Sequence, residues 1–154
     1  INMNYNIIIN QASDFLKNLN IKTPRLDSEL LLSNSLKISR ENLLLNLNKK
    51  MNLKEYNKFL NLLEERKKRK PIAYIVGFKE FWKSKFIVNE SVLIPRPETE
   101  LVVQESLNYL SKKKSKKIID IGTGSGCIII SLLKECPKYN GVAIDISKKA
   151  LKIA

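Results

Sequence analysis

Three closely spaced glycines and a later aspartate are the residues of this sequence best suited to bind a ligand. A glycine-rich turn between a strand and a helix lets backbone N–H groups approach a ligand without obstruction by side chains. The next β-branched run ends in an aspartate, whose carboxylate can accept hydrogen bonds from both hydroxyls of a ribose. The pattern therefore predicts binding of a nucleotide moiety by the turn and this carboxylate, that is by Gly122, Thr123, Gly124, Ser125, Gly126 and Asp145.

Two alternatives remain open at this turn. It could merely pack a helix on a strand, without a ligand. Asp120, two residues before the first glycine, could orient the ligand or could be a buried acid that braces the loop. The Gly-x-Gly-x-Gly spacing is one residue shorter than the dinucleotide fingerprint, which disfavours a nicotinamide oxidoreductase.

The segments around the turn predict an α/β sheet. Lys116–Ile121 is a β-branched run, Cys127–Leu133 is apolar enough for a buried helix, and Gly141–Asp145 is a second β-branched run. A further helix is expected after Ser147. A strand, a glycine turn, a helix and a strand ending in aspartate form the opening of a doubly wound parallel sheet.

A hairpin and a helix are predicted before this sheet. Residues 71–96 are rich in aromatic and β-branched residues, and we expect strands on either side of a turn at Lys83-Ser84. Prolines 95 and 97 end any strand and permit a helix from Glu98 to about Ser111. The residues expected on its buried face are Leu101, Val102, Leu107 and Leu110.

Residues 1–70 predict a compact bundle of short helices. Thr23-Pro24 and Ser39 mark two helix starts, and Asn52 with Glu55 resembles a capping box. Residues at helical spacing line the first helix, and others are expected to line the last: Ile8, Ala12, Phe15, Leu16 and Leu19, then Leu53, Tyr56, Leu60 and Leu63. The basic run at 66–70 is expected to be a solvated helix end before Pro71.

The amino-acid composition excludes several classes of catalytic and metal site. The chain has 154 residues, a formal net charge of +13 and no histidine, which excludes Ser-His-Asp and Cys-His catalysis and His-ligated metals. Cys127 and Cys136 lack metal-ligand spacing and are expected to be ordinary buried thiols. The basic excess is mostly lysine, which favours compositional drift over a nucleic-acid site, although a basic face for RNA or a ribosomal partner stays open. No apolar run approaches membrane-spanning length, so a cytoplasmic protein without a membrane partner is expected.

Several segments together resemble the bacterial release-factor glutamine methyltransferase family. DIGTGSG at 120–126 matches the first motif of class I methyltransferases, and PRLDSELLL at 24–32, RKPIAYIVGFKEFW at 69–82 and VLIPRPETELVV at 92–103 precede it in the family's order. The segment VAIDISKKALKIA follows. The resemblance thus spans nearly the whole chain.

The resemblance implies a fold, an activity and partners. It implies a helical release-factor-recognition domain at 1–70, a hairpin linker at 71–96 and the beginning of a Rossmann-like methyltransferase domain at 97–154. The activity implied is methyl transfer from S-adenosyl-L-methionine to the glutamine amide in the Gly-Gly-Gln loop of peptide chain release factors. Gly122–Gly126 would border the methionine portion of the cofactor, with which Asp120 could also interact, and Asp145 would hold its ribose. Nucleic acid would be met only through the ribosome, and a monomer is expected.

Three departures from the family's pattern limit the resemblance. The family's catalytic Asn-Pro-Pro-Tyr segment does not occur, the chain begins at Ile1 and it ends at Ala154 after two predicted sheet strands. We interpret the chain as an inactive fragment that binds cofactor weakly or not at all, with no metal site and no catalytic residue to assign. Arg96, Glu98 and Thr99 could contact the site or could form a structural turn. The alternatives are a nucleic-acid amino-methyltransferase of the same class, or a non-catalytic module that docks on a release factor.

Overall fold

The computed structural model describes residues 3–112 and 117–154, which divide into two compact units, Ile1–Val76 and Gly77–Ala154. Lys116, the predicted start of the first sheet strand, lies outside the described residues, as do Ile1 and Asn2. No helix in the described part of the chain is both long enough and apolar enough to cross a membrane. Each unit has a hydrophobic core of its own.

The first unit consists of helices whose starts follow the capping signals. Ser39 and Asn52 accept hydrogen bonds from backbone N–H groups of the helices they precede, and Asn52 with Glu55 completes the predicted capping box. Thr23 differs, because its hydroxyl donates to the Asp27 carboxylate instead of capping the backbone. Within residues 3–76 the helices are α1 (Tyr5–Asn18), α2 (Pro24–Leu36), α3 (Arg40–Leu45), α4 (Leu53–Lys67) and α5 (Ile72–Val76).

The core of this unit lies among α1, α2 and α4. On α1 the buried side chains follow the predicted spacing, with Ile8, Ala12 and Leu16 inside. The prediction for α4 was wrong at two positions, since Leu53 and Leu60 are exposed. Phe59 and Leu63 are buried instead, with Tyr56 partly buried, because the face set by positions 56, 59 and 63 is the one turned toward α2.

Helix α2 buries charge as well as apolar surface. Asp27 is only 1% exposed and its carboxylate pairs with Arg66 of α4 at 2.7 Å. Glu29, also buried, pairs with Arg25 and Arg40. Arg66 begins the basic run that was expected to be solvated, so that prediction was wrong for this residue: its guanidinium is drawn inward by a buried carboxylate that needs a partner.

The second unit begins with the predicted hairpin, whose turn lies one residue earlier than expected. Strands β1 (Phe78–Phe81) and β2 (Ser84–Ile87) are antiparallel, and Phe81 faces Ser84, so the loop is Trp82-Lys83. Trp82 adopts a left-handed conformation with φ 53°. Its backbone N–H donates to Glu100 and its indole N–H to Glu135, which ties the hairpin to two helices of the unit.

A 3₁₀ turn at Pro97–Thr99 leads into α6 (Glu100–Leu110). The prediction that Leu101 and Val102 lie on the buried face of this helix was wrong, because their side chains are 66% and 50% exposed. Val103 is fully buried instead, with Leu107 and Leu110 packed partly against the same core, because positions 103, 107 and 110 share one helical face.

A parallel strand pair with its crossover helix completes the unit. Strand β3 (Lys117–Ile121) is parallel to strand β4 (Asn140–Ile144), and the two pair from Lys117↔Asn140 to Ile121↔Ile144. Helix α7 covers one face, where side chains of Ile129 and Leu133 lie against Gly141. The elements are β3 (Lys117–Ile121), α7 (Cys127–Glu135), β4 (Asn140–Ile144) and α8 (Lys148–Leu151), in the predicted order.

Candidate functional site

The glycine turn joins β3 to α7 and is bonded to the end of β4. The backbone N–H groups of Gly122 and Thr123 both donate to the carbonyl oxygen of Ile144, at 2.7 and 3.0 Å. Gly126 N–H donates to the Thr123 carbonyl at 2.9 Å and closes the turn. The turn is therefore held at the carboxyl end of the sheet, where open α/β folds bind ligands.

Asp145 directly follows β4, and its carboxylate faces the turn. One oxygen accepts the Gly124 N–H at 2.9 Å, and the other accepts the Ser147 N–H at 2.8 Å. These bonds, that from Ser147 first, hold the pKa of the Asp145 carboxyl below its ordinary value. Each oxygen has accepted one hydrogen bond, so each keeps acceptor capacity for a further donor such as a hydroxyl.

Asp120 acts on the turn through Thr123. The buried Thr123 hydroxyl donates to the Asp120 carboxylate at 2.8 Å, across the first bend of the turn. This bond supports the interpretation of Asp120 as a brace. The sequence had predicted Thr123 as a ligand-binding residue of the turn and not as its brace; the signal for the bracing role was a hydroxyl three residues after an aspartate at a strand end.

Open space lies beside two of the three glycines. A Cβ atom built on Gly122 or Gly124 would have no neighbour within 4 Å, whereas one on Gly126 would lie 2.8 Å from the Ile130 side chain. Helix α7 starts at Cys127, and Gly126 before it provides no side-chain cap. The open space, uncapped N–H groups and the Asp145 carboxylate suit a ligand with both a hydroxylated ring and an anionic group.

The two cysteines lie at opposite ends of α7 and do not form a ligand set. Cys127 is buried at the start of α7, and this burial raises the pKa of its thiol. Cys136, at the other end of the helix, is only partly buried, so the prediction of two buried thiols holds fully for Cys127 alone. Within residues 3–112 and 117–154, no group of three or more potential ligand side chains could hold a metal.

The segment before α6 forms a turn. Thr99 N–H donates to the Arg96 carbonyl at 3.0 Å, and the side chains of Arg96 and Glu98 are exposed. Glu100, which sequence reasoning did not single out, has the clearest role here, because it accepts the Trp82 N–H at 2.7 Å. The structural-turn interpretation of this segment accounts for these contacts.

Comparison with known proteins divides the chain into two family matches. Residues 8–77 match the family described as the PrmC N-terminal domain. Residues 99–154 match the methyltransferase small domain. The second match covers α6, the glycine turn and Asp145, so the fold class expected from the sequence, a helical region followed by the start of a methyltransferase fold, is confirmed.

Individual relatives align along nearly the whole chain. A release factor glutamine methyltransferase of Leptospira interrogans is 41% identical, with 96% of this chain covering 52% of that protein. One of Buchnera aphidicola is 38% identical, with 99% of this chain covering 54% of it. A bifunctional methyltransferase of Rickettsia typhi is 41% identical over 99% of this chain, which covers 33% of it. The chain thus spans from a third to about half of the length of these curated relatives.

Proposed function

We propose, on the premise of its confirmed resemblance to the release factor glutamine methyltransferase family, that this chain supplies the partner-recognition region and the cofactor-binding turn of an S-adenosyl-L-methionine-dependent methyltransferase. The observation that carries the proposal is the hydrogen bond from Gly124 N–H to Asp145. It joins the glycine turn to the carboxylate at the end of the neighbouring strand, the arrangement expected around a bound nucleoside.

The residues of the turn have distinct roles in this proposal. Asp145 would accept hydrogen bonds from the ribose hydroxyls, for which its ionised form is suited. Gly122 and Gly124 would border the ligand, because the space beside them is open. Asp120 and Thr123 would keep the turn in place from behind. None of these residues exchanges a proton with the substrate; they bind and orient.

The proposed substrate is the side-chain amide of the glutamine in a release factor's Gly-Gly-Gln loop. S-adenosyl-L-methionine would supply the methyl group from its sulfonium. The transfer would replace the sulfur–methyl bond with a bond from the methyl group to the amide nitrogen, and the amide proton would pass to water. Because the amide lone pair is delocalised, the amide must be held in a reactive orientation. The sequence contains no Asn-Pro-Pro-Tyr segment for that task, so we propose no turnover by these residues alone.

The arginine contacts argue against the nucleic-acid alternative for the helical unit. Arg25, Arg40 and Arg66 are engaged with the buried carboxylates of Glu29 and Asp27. They are not free to read phosphates or base edges, which arginine does better than lysine. A protein partner is therefore the better match for this unit.

The test joins this chain to the part of the Leptospira interrogans relative that lies beyond the match. We expect this chimera to bind tritiated S-adenosyl-L-methionine and to add one methyl group to glutamine of a release factor, located by peptide mass spectrometry. Asp145→Asn should weaken cofactor binding about tenfold, the equivalent of one hydrogen bond to a charged group. Asp14→Asn, an exposed acid on α1, is the control. Methylation of RNA in place of the release factor would overturn the proposed substrate, and cofactor binding unaffected by Asp145→Asn would overturn the site.

A further inference from the structure

A small polar pocket lies within the helical unit, away from the glycine turn in sequence. Its volume is about 190 Å³, and its two apolar lining residues are Leu36 and Ile38. The remaining lining residues all carry hydrogen-bonding groups: Tyr5, Asn42, Asn46, Lys49 and Glu55. Nothing in the proposed methyl transfer uses this pocket.

Part of the hydrogen-bonding capacity in the pocket is already used. The Asn46 amide group donates to the backbone and side-chain oxygens of Asn42, both at 2.8 Å. One Glu55 carboxylate oxygen accepts the Asn52 N–H at 3.4 Å in the capping box of α4. These contacts fix the orientation of Asn46 and hold Glu55 beside the start of its helix.

The remaining polar atoms have no partner among the residues that the structure describes. They include two acceptors, the Asn46 Oδ1 and Glu55 Oε1 atoms, and two donors, the Asn42 Nδ2 and Lys49 Nζ groups. The Tyr5 hydroxyl can both donate and accept. Burial, followed by the negative charge of Glu55, raises the pKa of Tyr5, so its hydroxyl keeps its proton at neutral pH.

The two charged lining residues give no preference for an ion. Glu55 and Lys49 carry opposite charges, so the pocket has no net charge that would favour an anion or a cation over a neutral group. A neutral group that both donates and accepts can use both sets of free atoms. A carboxamide has two donor hydrogens and a carbonyl acceptor, so it matches the pocket.

The volume and the lining residues of the pocket fit one amino-acid side chain of a partner protein. Sites for drug-sized ligands and cofactors are roughly 300–1,000 Å³, well above the volume here. A nucleobase would need an exposed aromatic face for stacking, and Tyr5, the aromatic lining residue, is only 4% exposed. The aliphatic walls at Leu36 and Ile38 suit the methylene groups of a short side chain.

We propose that this pocket binds the carboxamide side chain of an asparagine or glutamine on a partner protein. This inference rests on the proposed function for the identity of that partner, a release factor, and places the contact outside the methylated loop. The pocket would thereby anchor the partner on the helical unit.

The first experiment titrates the ¹⁵N-labelled chain with propionamide, sodium propionate, ethylguanidinium and cytidine, and follows backbone amide signals by NMR. We expect saturable shifts at residues 42–55 with propionamide only. Tyr5→Phe, which removes one hydroxyl, should weaken propionamide binding about three- to tenfold. Tyr109→Phe, on an exposed tyrosine of the second unit, is the matched control and should have no effect.

The variant Glu55→Gln tests whether the pocket binds a neutral amide or a cation. Glutamine can serve in a capping box, so the helix start is retained, and it still offers an acceptor. We expect propionamide affinity to change by less than about threefold, in line with the small difference between neutral hydrogen bonds. Saturable binding of ethylguanidinium or cytidine, or no propionamide binding at all, would overturn the inference.

The second experiment measures release-factor binding by titration calorimetry. We expect Tyr5→Phe to weaken it by the same factor as propionamide binding, with Tyr109→Phe unchanged. If Tyr5→Phe left the affinity for the release factor unchanged, the pocket assignment would be overturned and the proposed function would remain intact. Propionamide binding without any release-factor binding would instead contradict the proposed partner.

Discussion

In the helical unit, one apolar face of each of α1, α2 and α4 is buried in a common core, and even the buried carboxylates have partners. In the second unit, by contrast, the parallel sheet is covered on one face by α7, and the opposite face presents Ile119, Ile121, Val142 and Ile144 with 44–77% of each exposed. Parallel sheets normally bury both faces. The first unit therefore has a closed core, whereas the second holds its glycine turn on a sheet with one open face.

The two units also hold their candidate binding groups differently. The helical unit places polar groups in a pocket beside the buried Tyr5. The second unit holds its turn by backbone hydrogen bonds to β4 and by two carboxylates, with little apolar burial of β4 itself. Trp82, the sole tryptophan, lies in the second unit, so its fluorescence reports on that unit while far-UV circular dichroism is dominated by the helices.

The largest loss of stability is expected from a substitution in the core of the helical unit. Phe59→Ala removes a ring that is 1% exposed and should lower the free energy of unfolding of the helical unit by about 4 kcal/mol. Urea unfolding followed by circular dichroism measures it. The control, Leu60→Ala on the outer face of the same helix, should cost less than about 1 kcal/mol. Equal losses in the two variants would contradict the assigned packing of α4.

A second large effect is expected at the buried ion pair. Arg66→Met leaves the Asp27 carboxylate without its cationic partner and should cost about 3 kcal/mol. Lys67→Met, which breaks an exposed pair with Glu64, should cost less than about 1 kcal/mol. Adding Asp27→Leu to Arg66→Met should recover much of the loss. A loss of similar size for Lys67→Met would show that burial does not distinguish the two pairs.

In the second unit, the largest effect is expected at Gly126. Its φ of 75° disfavours a side chain, and a Cβ there would meet Ile130 at 2.8 Å, so Gly126→Ala should cost about 2 kcal/mol. Gly122→Ala shares the positive φ but meets open space, and should cost only about 1 kcal/mol. Trp82 fluorescence during urea unfolding measures both. The reverse order would contradict the packing of the turn on α7.

The open sheet face should tolerate polar substitution. Ile119→Thr changes a side chain that is 59% exposed and should alter stability by less than about 1 kcal/mol, while lowering binding of the dye ANS, which reports exposed apolar surface. Ile118→Thr, which changes the partly buried neighbour packed in the core of the unit, should be clearly more destabilising. Similar stability losses at both positions would indicate that the open face is covered.

The smallest expected effect is the loss of the Asp145 contribution to stability at low pH. The lowered pKa of Asp145 means that its contribution to stability is present above the ordinary aspartate pKa and is lost as the pH falls through the lowered value. The Gly124 amide signal should therefore shift at a pH below the ordinary aspartate pKa, as measured by NMR pH titration. Asp145→Asn should abolish that step. A change in the Gly124 amide signal with a midpoint at or above the ordinary aspartate pKa would contradict the hydrogen bonds that Asp145 accepts from Ser147 and Gly124.

Local signals predicted much of this architecture. The capping box at Asn52, the cap at Ser39 and the helix after Ser147 were read from residues within one turn of each helix start. The glycine turn and the parallel strands followed from the order of β-branched and glycine residues. The domain boundaries and the ligand roles of Gly122–Gly126 and Asp145 stay predictions.

The errors arose where neighbouring elements, not local pattern, set the outcome. Leu53, Leu60, Leu101 and Val102 are apolar and fit a helical stripe, yet the position of the partner helix buries Phe59 and Val103 instead. The hairpin turn lies one residue earlier than predicted. Trp82 in this turn is bound by Glu100 and Glu135, which lie far from it in the sequence.

The sequence alone thus determined the order and type of the elements, because capping, glycine spacing and β-branching act within a few residues. Only the tertiary structure decided which helical faces are buried, that Asp27 pairs with Arg66 and that Asp145 bonds Gly124. Those outcomes depend on distances between segments far apart in the chain, which no local pattern specifies.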